Sequence, residues 1–256
     1  MPDKNGGGAA MNVVQTEQLV RLTCLSEPHM IETLDIDQLV DDLADGTPPD
    51  FLTPERICVQ DLIVVATVAK RGASPAANPG RYLGLLGMRD DTAGGQAFLR
   101  LDMACVAPLA RGQRLISRLL ARAMAERVGR TPILAAQTAT PSWFRALRHF
   151  ATELPGAAFH PAPAGTVVAL RTAAMARQIA GAVCPEHRYD VASGVLHGKW
   201  AVPALRLRRH ASADAWCEAA LDTAPVLSER LLAVVDLRDV TAATLLARSA
   251  QRPDLA

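Results

Sequence analysis

From Gln18 to Leu25 apolar and polar positions alternate, with Val20, Leu22 and Cys24 on one side and Leu19, Arg21 and Thr23 on the other. That period predicts a half-buried strand. The rhythm then turns helical, with Ile36, Leu39, Val40 and Leu43 recurring within roughly 29–45 and Gly46 as the stop. The other face of this helix is acidic, carrying Asp37, Asp41, Asp42 and Asp45. Thr47-Pro48-Pro49 breaks the chain, and the β-branched run Ile57–Lys70 contains the second strand. Arg71 to Arg81, rich in Gly, Pro, Ala and Asn, reads as a mobile hairpin connection. Tyr82–Met88 and Ala97–Val106 are the next two strands, split by the turn Asp90-Asp91-Thr92-Ala93-Gly94-Gly95.

A helix of about Gly112–Arg127 follows, then a short apolar strand, Pro132–Thr138. Thr140 suits the N-cap and Pro141 the first position of another helix. Further on come a helix (Val168–Val183), a turn-rich segment (Cys184–Trp200), a helix near Ser212–Leu221, and the strand-like run Glu229–Leu237, which is available to complete the main sheet. Residues 1–12, with Gly6-Gly7-Gly8, read as a disordered tail.

Composition narrows the class. A chain of 256 residues, 50% hydrophobic, can bury one large core, or one domain plus an extension. Aromatic residues are only 4%, so that core is aliphatic. A net charge of +1 gives no general basis for binding nucleic acid or membrane. Five scattered cysteines without a Cys-x-x-Cys pair fit a reducing compartment. With no signal-like opening and no apolar run long enough to span a bilayer, a soluble cytoplasmic protein is expected.

Val106-Ala107-Pro108-Leu109-Ala110-Arg111-Gly112-Gln113-Arg114-Leu115-Ile116 is the most informative stretch: a strand end, a Pro-containing turn and a loop entering a helix. Helix openings present unpaired N–H groups and partial positive charge, so they suit phosphate. The segment resembles the coenzyme-binding stretch of the GNAT superfamily of N-acyltransferases, whose pattern is Arg/Gln-x-x-Gly-x-Gly/Ala. Arg111 and Gly112 match it, whereas Arg114 and Ile116 stand at the two glycine positions. A second stretch, Thr138-Ala139-Thr140-Pro141-Ser142-Trp143-Phe144, resembles the family's later motif. Thr140 sits near its Asn, and Phe144 aligns with the Tyr that protonates the leaving thiolate; Phe144 has no proton to give.

The resemblance covers roughly residues 17–162 and implies a mixed α/β (α+β) fold with a bent central sheet flanked by helices. On this reading residues 13–162 form the acyltransferase-like domain and 163–256 a C-terminal helical extension with a strand returning to the sheet. It implies acetyl-coenzyme A or another acyl-coenzyme A as co-substrate, bound by Val106, Arg111, Gly112, Gln113, Arg114, Leu115, Ile116, Thr140 and Phe144. A small-molecule or peptide amine would be the acceptor.

Acid–base candidates are few. Asp102 lies on the strand entering the coenzyme loop, where many GNAT enzymes place a general base. It shares a strand face with Arg100, which also allows a structural ion pair. Tyr82 could reach the centre from the neighbouring strand, or simply be core. Cys105 reads as packing. Arg114, Arg118 and Arg122 form a stripe along the helix: a solvated basic face, or a docking surface for coenzyme phosphate or an acyl carrier protein. Cys184-x-x-His187 lacks a second pair, so no metal is expected. Basic patches interleaved with aromatics are absent, which argues against nucleic acid. Three readings stay open: an N-acyltransferase using acyl-coenzyme A, an acyltransferase using an acyl carrier protein, and a non-catalytic GNAT fold serving as a binding or scaffold protein. A homodimer is open as an assembly.

Overall fold

Among the described residues nine strands join in one sheet of order β1-β2-β3-β4-β5-β9-β8-β7, with β6 also pairing on β9. The computed structural model describes residues 19–26, 31, 33–45, 47, 51–69, 80–138, 141–162, 169–198 and 229–251. The strands are β1 (Leu19–Leu25), β2 (Leu62–Ala69), β3 (Tyr82–Ala93), β4 (Gln96–Val106), β5 (Ile133–Thr138), β6 (Ala158–His160), β7 (Arg188–Asp190), β8 (Val195–His197) and β9 (Glu229–Asp236). The helices are α1 (Ile36–Leu43), α2 (Pro54–Cys58), α3 (Leu115–Arg127), α4 (Pro141–Thr152), α5 (Leu170–Val183) and α6 (Ala242–Ala250). Among the described residues β4–β5 is the parallel pair and the other pairings are antiparallel. This is the mixed α/β sheet flanked by helices that the GNAT resemblance implies. No helix among the described residues is long and apolar enough to cross a membrane.

Each sheet face is covered for a readable reason. On one face Val64, Leu86, Leu99, Leu134 and Ala233 meet α3, α4 and α6 through Leu119, Leu120, Phe144, Phe150 and Leu245. On the other, two apolar clusters lie side by side. Leu39 and Leu43 of α1 and Ile57 of α2 cover Ile63, Val65, Leu85, Met103 and Cys105. Met175, Ala176, Ile179 and Ala180 of α5 cover Phe98, Ile133, Ala135, Leu232 and Val234. Burying a large aliphatic side chain contributes about 1.5–3 kcal/mol, and these aliphatic clusters carry the fold where aromatics are scarce.

Several expected boundaries move, each through a local cap or turn. Within the helix expected over 29–45, α1 starts at Ile36 because the Asp35 carboxylate caps Gln38 N–H at 3.0 Å. Ile57 sits on a short helix instead of a strand, because Thr53 caps Arg56 N–H and Pro54 fills the first helical position. The turn expected over Asp90–Gly95 shrinks to Gly94-Gly95, at φ +55° and +77°. Two successive positive φ values close a tight hairpin, so Asp90 to Ala93 stay in β3. Within the segment read as turns, Arg188–Asp190 and Val195–His197 pair as a hairpin. The expected tail (1–12), the connection at 71–79 and the helix near 212–221 lie outside the described residues.

The arginine stripe is not one solvated face. Arg118 is buried and its Nε donates to the Ser249 carbonyl of α6 at 3.2 Å. Arg122 pairs with Glu126 at 3.2 Å, and Arg114 with Glu153 at 3.4 Å. The C-terminal helix α6 therefore covers what the periodicity alone leaves open to solvent or to a docking partner.

At the far side of the sheet His160 is buried, with Nε2 3.0 Å from the Tyr189 hydroxyl. Burial holds its pKa below the usual histidine value. The unfolded chain therefore takes up a proton first as pH falls, and stability present above about pH 6.5 is lost on acidification. The unfolding free energy is expected to fall between pH 7.5 and 5.5, by at most about 1.4 kcal/mol per pH unit for one proton, and the melting temperature with it. His160→Gln should flatten that slope. His149 is shifted the same way by burial and by Arg114 and Arg248, so His149→Gln is the parallel control. An unchanged slope in the His160 variant would refute the assignment.

Candidate functional site

Parallel pairing between β4 and β5 lasts for Leu99–Leu101 against Leu134–Ala136 only. Beyond it β4 continues to Val106 and β5 to Thr138, so the two strands part and the sheet forks. A register shift accompanies the fork: Met88 faces Leu101 and Gly87 faces Met103, which leaves Asp102 without a partner across β3. An extra residue re-aims its neighbours and strengthens local twist. Leu99 and Leu101 belong to the α3 and α4 face, whereas two-residue alternation resumes out of step with Met103 and Cys105 on the opposite face.

Asp102 thus stands at the mouth of the fork. Gln60 Nε2, from the α2–β2 connection, donates to its Oδ2 at 3.2 Å, and Arg100 Nε lies 4.0 Å from Oδ1. Arg100 also pairs with Asp91 at 3.0 Å. The ion pair expected between Arg100 and Asp102 is therefore present but long. Gln60 could not be found from sequence, because it depends on α2 forming where a strand was expected. Gln137, the first β5 residue past the pairing, donates to Cys184 Sγ at the end of α5. Burial pushes the Cys184 thiol up, opposed by Gln137 and by the nearby Arg100 and Arg230 guanidiniums. A polar strip of Gln60, Asp102, Arg100, Gln137, Cys184 and Arg230 consequently separates the two apolar clusters on this face.

The loop leaving β4 is built to present amides. Pro108–Ala110 forms a 3-10 turn, Gly112 is left-handed at φ +79° with nothing within 4 Å of an added Cβ, and Arg114 is left-handed at φ +53°. These left-handed residues explain why α3 begins at Leu115 and not at Gly112. Its N-cap, Arg114, makes no side-chain capping bond, so the N-cap side chain leaves the opening amides free to take another partner. Arg111 ties the loop down, donating from Nε to Val106 O at 3.2 Å and from Nη2 to Asp45 O at 3.4 Å. Gln113 Nε2 closes it onto Leu109 O at 3.0 Å. Gly84 lets α3 dock closely, since a Cβ there would lie 3.1 Å from Leu119 Cδ1 and 3.3 Å from Leu115 Cδ2. Beside the helix start, Glu153 accepts from Arg114, from His149 at 3.2 Å and from Arg248 of α6. One carboxylate between two guanidiniums leaves the α3 opening electropositive.

The other singled-out residues scatter. Val106 and Ile116 are half-buried against the main core, and Leu115 is buried in it. Phe144 is fully buried, edge-on to Phe159 with ring centroids 5.3 Å apart. Tyr82 is buried in the α1–α2 cluster, and burial pushes its phenol up. Gly87, opposite Met103, lies roughly 16 Å along β3 from it at 3.3 Å per residue, so Tyr82 is not beside Asp102 but near Gly84, which pairs with Val106 at the end of β4. Cys105 is buried, its thiol pushed up to about 11, as an inert packing residue. Thr140 lies outside the described residues. Among the described residues no three metal-ligating side chains cluster.

An open hollow of about 390 Å³, lined by Asp90, Asp91, Thr92, Ala97, Arg127, Arg130 and Thr131, lies at the hairpin end of β3 and β4. It sits at the C-terminal end of α3, where the helix dipole disfavours anions.

No family model matches the chain, and no curated protein matches its sequence. Solved structures do align with it, among them the following three. An N-acetyltransferase from Staphylococcus aureus Mu50 is 7% identical, with 86% of this chain and 98% of that one covered, at a TM-score of 0.40. An acetyltransferase of the GNAT family from Streptococcus pneumoniae is 16% identical, with 58% and 95% covered, at 0.33. N-acetylglutamate synthase from Neisseria gonorrhoeae, complexed with coenzyme A and N-acetyl-glutamate, is 16% identical at 0.31. The alignment takes in 60% of this chain and only 31% of that synthase. At these scores the likeness carries nothing about the reaction.

Proposed function

We propose that the protein transfers an acyl group from acyl-coenzyme A to an amine. The observation that carries this reading is the fork at Asp102 standing next to an uncapped, electropositive helix start. The coenzyme's pyrophosphate would take the amides between Gly112 and the first turn of α3, where dipole and donors both favour anions. Its thiol arm would run into the gap between β4 and β5. Backbone N–H groups of β4 that point toward β5 past Leu101 have no strand partner there and can polarise the thioester carbonyl.

Asp102 would take one proton from the acceptor ammonium, leaving a neutral amine. The amine nitrogen attacks the thioester carbon, the C–N bond forms, the C–S bond breaks, and the thiolate leaves with the bonding pair. The second nitrogen proton goes to the thiolate through water, because Phe144 offers none. The products are the amide, the coenzyme thiol and the proton held by Asp102, which returns to solvent. Orientation of the two reactants supplies most of the acceleration.

Substitutions at three positions test this. Gly112→Glu adds negative charge where phosphate would sit, whereas Gly112→Ala carries the same backbone strain without the charge. Isothermal titration with acetyl-coenzyme A should show affinity at least about tenfold weaker for Glu than for Ala, a difference of about 1.4 kcal/mol. Equal affinities would place the phosphates elsewhere.

Asp102→Asn should slow thiol release by about 10²-fold or more with coenzyme A affinity retained. Turnover unchanged by the substitution would end the base assignment.

Phe144→Tyr puts a hydroxyl into the sealed core. It should lower stability by about 1–3 kcal/mol in thermal denaturation with no gain in turnover. Faster turnover at constant stability would show that Phe144 faces the chemistry after all.

A further inference from the structure

Gln60 is seated where three separate features of the chain meet. It follows the short helix α2, and its backbone N–H donates to Ile57 O at 3.2 Å, which fixes the turn into β2. Gly87 on β3 makes room for its side chain. A Cβ at that position would lie 2.9 Å from Gln60 Cγ, 3.1 Å from Gln60 Cδ and 2.6 Å from Met103 Cγ. The extra residue of β4 then brings Asp102 against the seated amide.

The neighbours also decide which way the amide turns. Nε2 donates to Arg56 O at 2.7 Å and to Asp102 Oδ2 at 3.2 Å. Both partners are acceptors, so the nitrogen has to face them, and its two hydrogens are then used up. Oε1 is left buried without a hydrogen-bond partner among the described residues. An orphaned buried acceptor is costly. The seat is therefore filled by a side chain that serves the groups beside it while leaving its own oxygen unsatisfied.

Asp102 is held on one side only. Oδ1 makes no hydrogen bond among the described residues, and Arg100 Nε, at 4.0 Å, is beyond that range. The Asp102 side chain is 31% exposed and Gln60 only 4%, so a ligand can reach the carboxylate but not the amide that holds it.

We infer that Gln60 is a positioning residue for proton transfer, pinning Asp102 through Oδ2 so that Oδ1 takes the proton of the acceptor ammonium. This rests on the acyl-transfer reading. The N–H bond breaks with its electron pair staying on nitrogen, and the O–H bond forms on Oδ1. Gln60 touches neither reactant and neither gains nor loses a proton. A carboxylate already fixed at one oxygen has less freedom to give up when the amine arrives.

Gln60→Met keeps the length of the side chain and removes both donors. The assay follows thiol release from acetyl-coenzyme A with tyramine, putrescine, glycinamide or L-lysine as acceptor. In Gln60→Met kcat should fall about tenfold, while KM for the amine and calorimetric affinity for coenzyme A stay within about twofold. In an Asp102→Asn background the same substitution should change kcat by less than about twofold, because Gln60 acts through that carboxylate. A residue that merely supports the fold would lower the melting temperature and cost the same factor in both backgrounds, and that additivity would overturn the inference. Should Gln60→Met fail to fold, Gln60→Asn, with both donors on a stem too short to reach Asp102, carries the same comparison. Full turnover in the Gln60 variant beside a slow Asp102→Asn would overturn the inference and leave acyl transfer intact. Equal turnover in the wild type and Asp102→Asn, or no thiol release at all, would overturn the base assignment and the inference together.

Discussion

The fold and the candidate chemistry both depend on one residue of extra backbone. Asp102 has no partner across β3, and this single insertion moves the alternation of β4 by one position. Before it, Leu99 and Leu101 pack under α3 and α4; after it, Met103 and Cys105 pack under α1 and α2. Without the shift, one half of β4 would turn its apolar side chains away from the helices meant to cover them. The same shift bends β4 away from β5, so the parallel pair ends after Leu101. The strand thus keeps both cores intact while opening the sheet between two otherwise well-paired halves.

An opening in a sheet leaves backbone groups unpaired, which is costly unless something else satisfies them. The polar strip beside the fork is poorly explained as a stabilising device. Arg100 is shared between Asp91 at 3.0 Å and Asp102 at 4.0 Å, and partly covered pairs of this kind contribute little once desolvation is counted. Apolar residues there would join the two clusters on this face into one and bury more surface. Charge retained where it does not favour stability is more readily understood as a surface for a ligand.

Much of the framework was legible in the sequence because it rests on period. The alternation in β1 and the helical spacing in α1 and α3 each identify an element and its buried face. The caps decided the boundaries, and they were harder to read: Thr53-Pro54 is an N-terminal signal hidden inside an apolar run, and it turns Ile57 from strand to helix. The site was legible only in part. Asp102 and the loop from Arg111 to Ile116 could be singled out because they lie on one continuous stretch of chain. Gln60 could not, because it depends on α2 forming within that run, and Gln137, Arg230 and Arg248 could not, because they depend on the pairing of β5 with β9 and the docking of α6. The last two leave no mark in local spacing. The burial of Arg118 shows the same limit, because a stripe of arginines looks solvated until the helix that covers it is known.

That covering helix changes how the start of α3 behaves. Arg118 is held by the Ser249 carbonyl one turn inside the helix, and Arg248 meets the same Glu153 that binds Arg114 at the N-cap. α6 thereby fixes α3 from its side, while Arg111 fixes the incoming loop from the β4 side. Arg114 is held in a left-handed conformation that a non-glycine residue adopts only at a cost, between these two anchors. Glycine, which stands here in the pattern this stretch resembles, would reach that conformation without strain. Here the backbone shape comes from tertiary anchoring, and the side chain adds positive charge beside the helix opening, where glycine would add none. A loop lacking the glycines of the family pattern can therefore still present its amides, provided the C-terminal helix is in place to hold it.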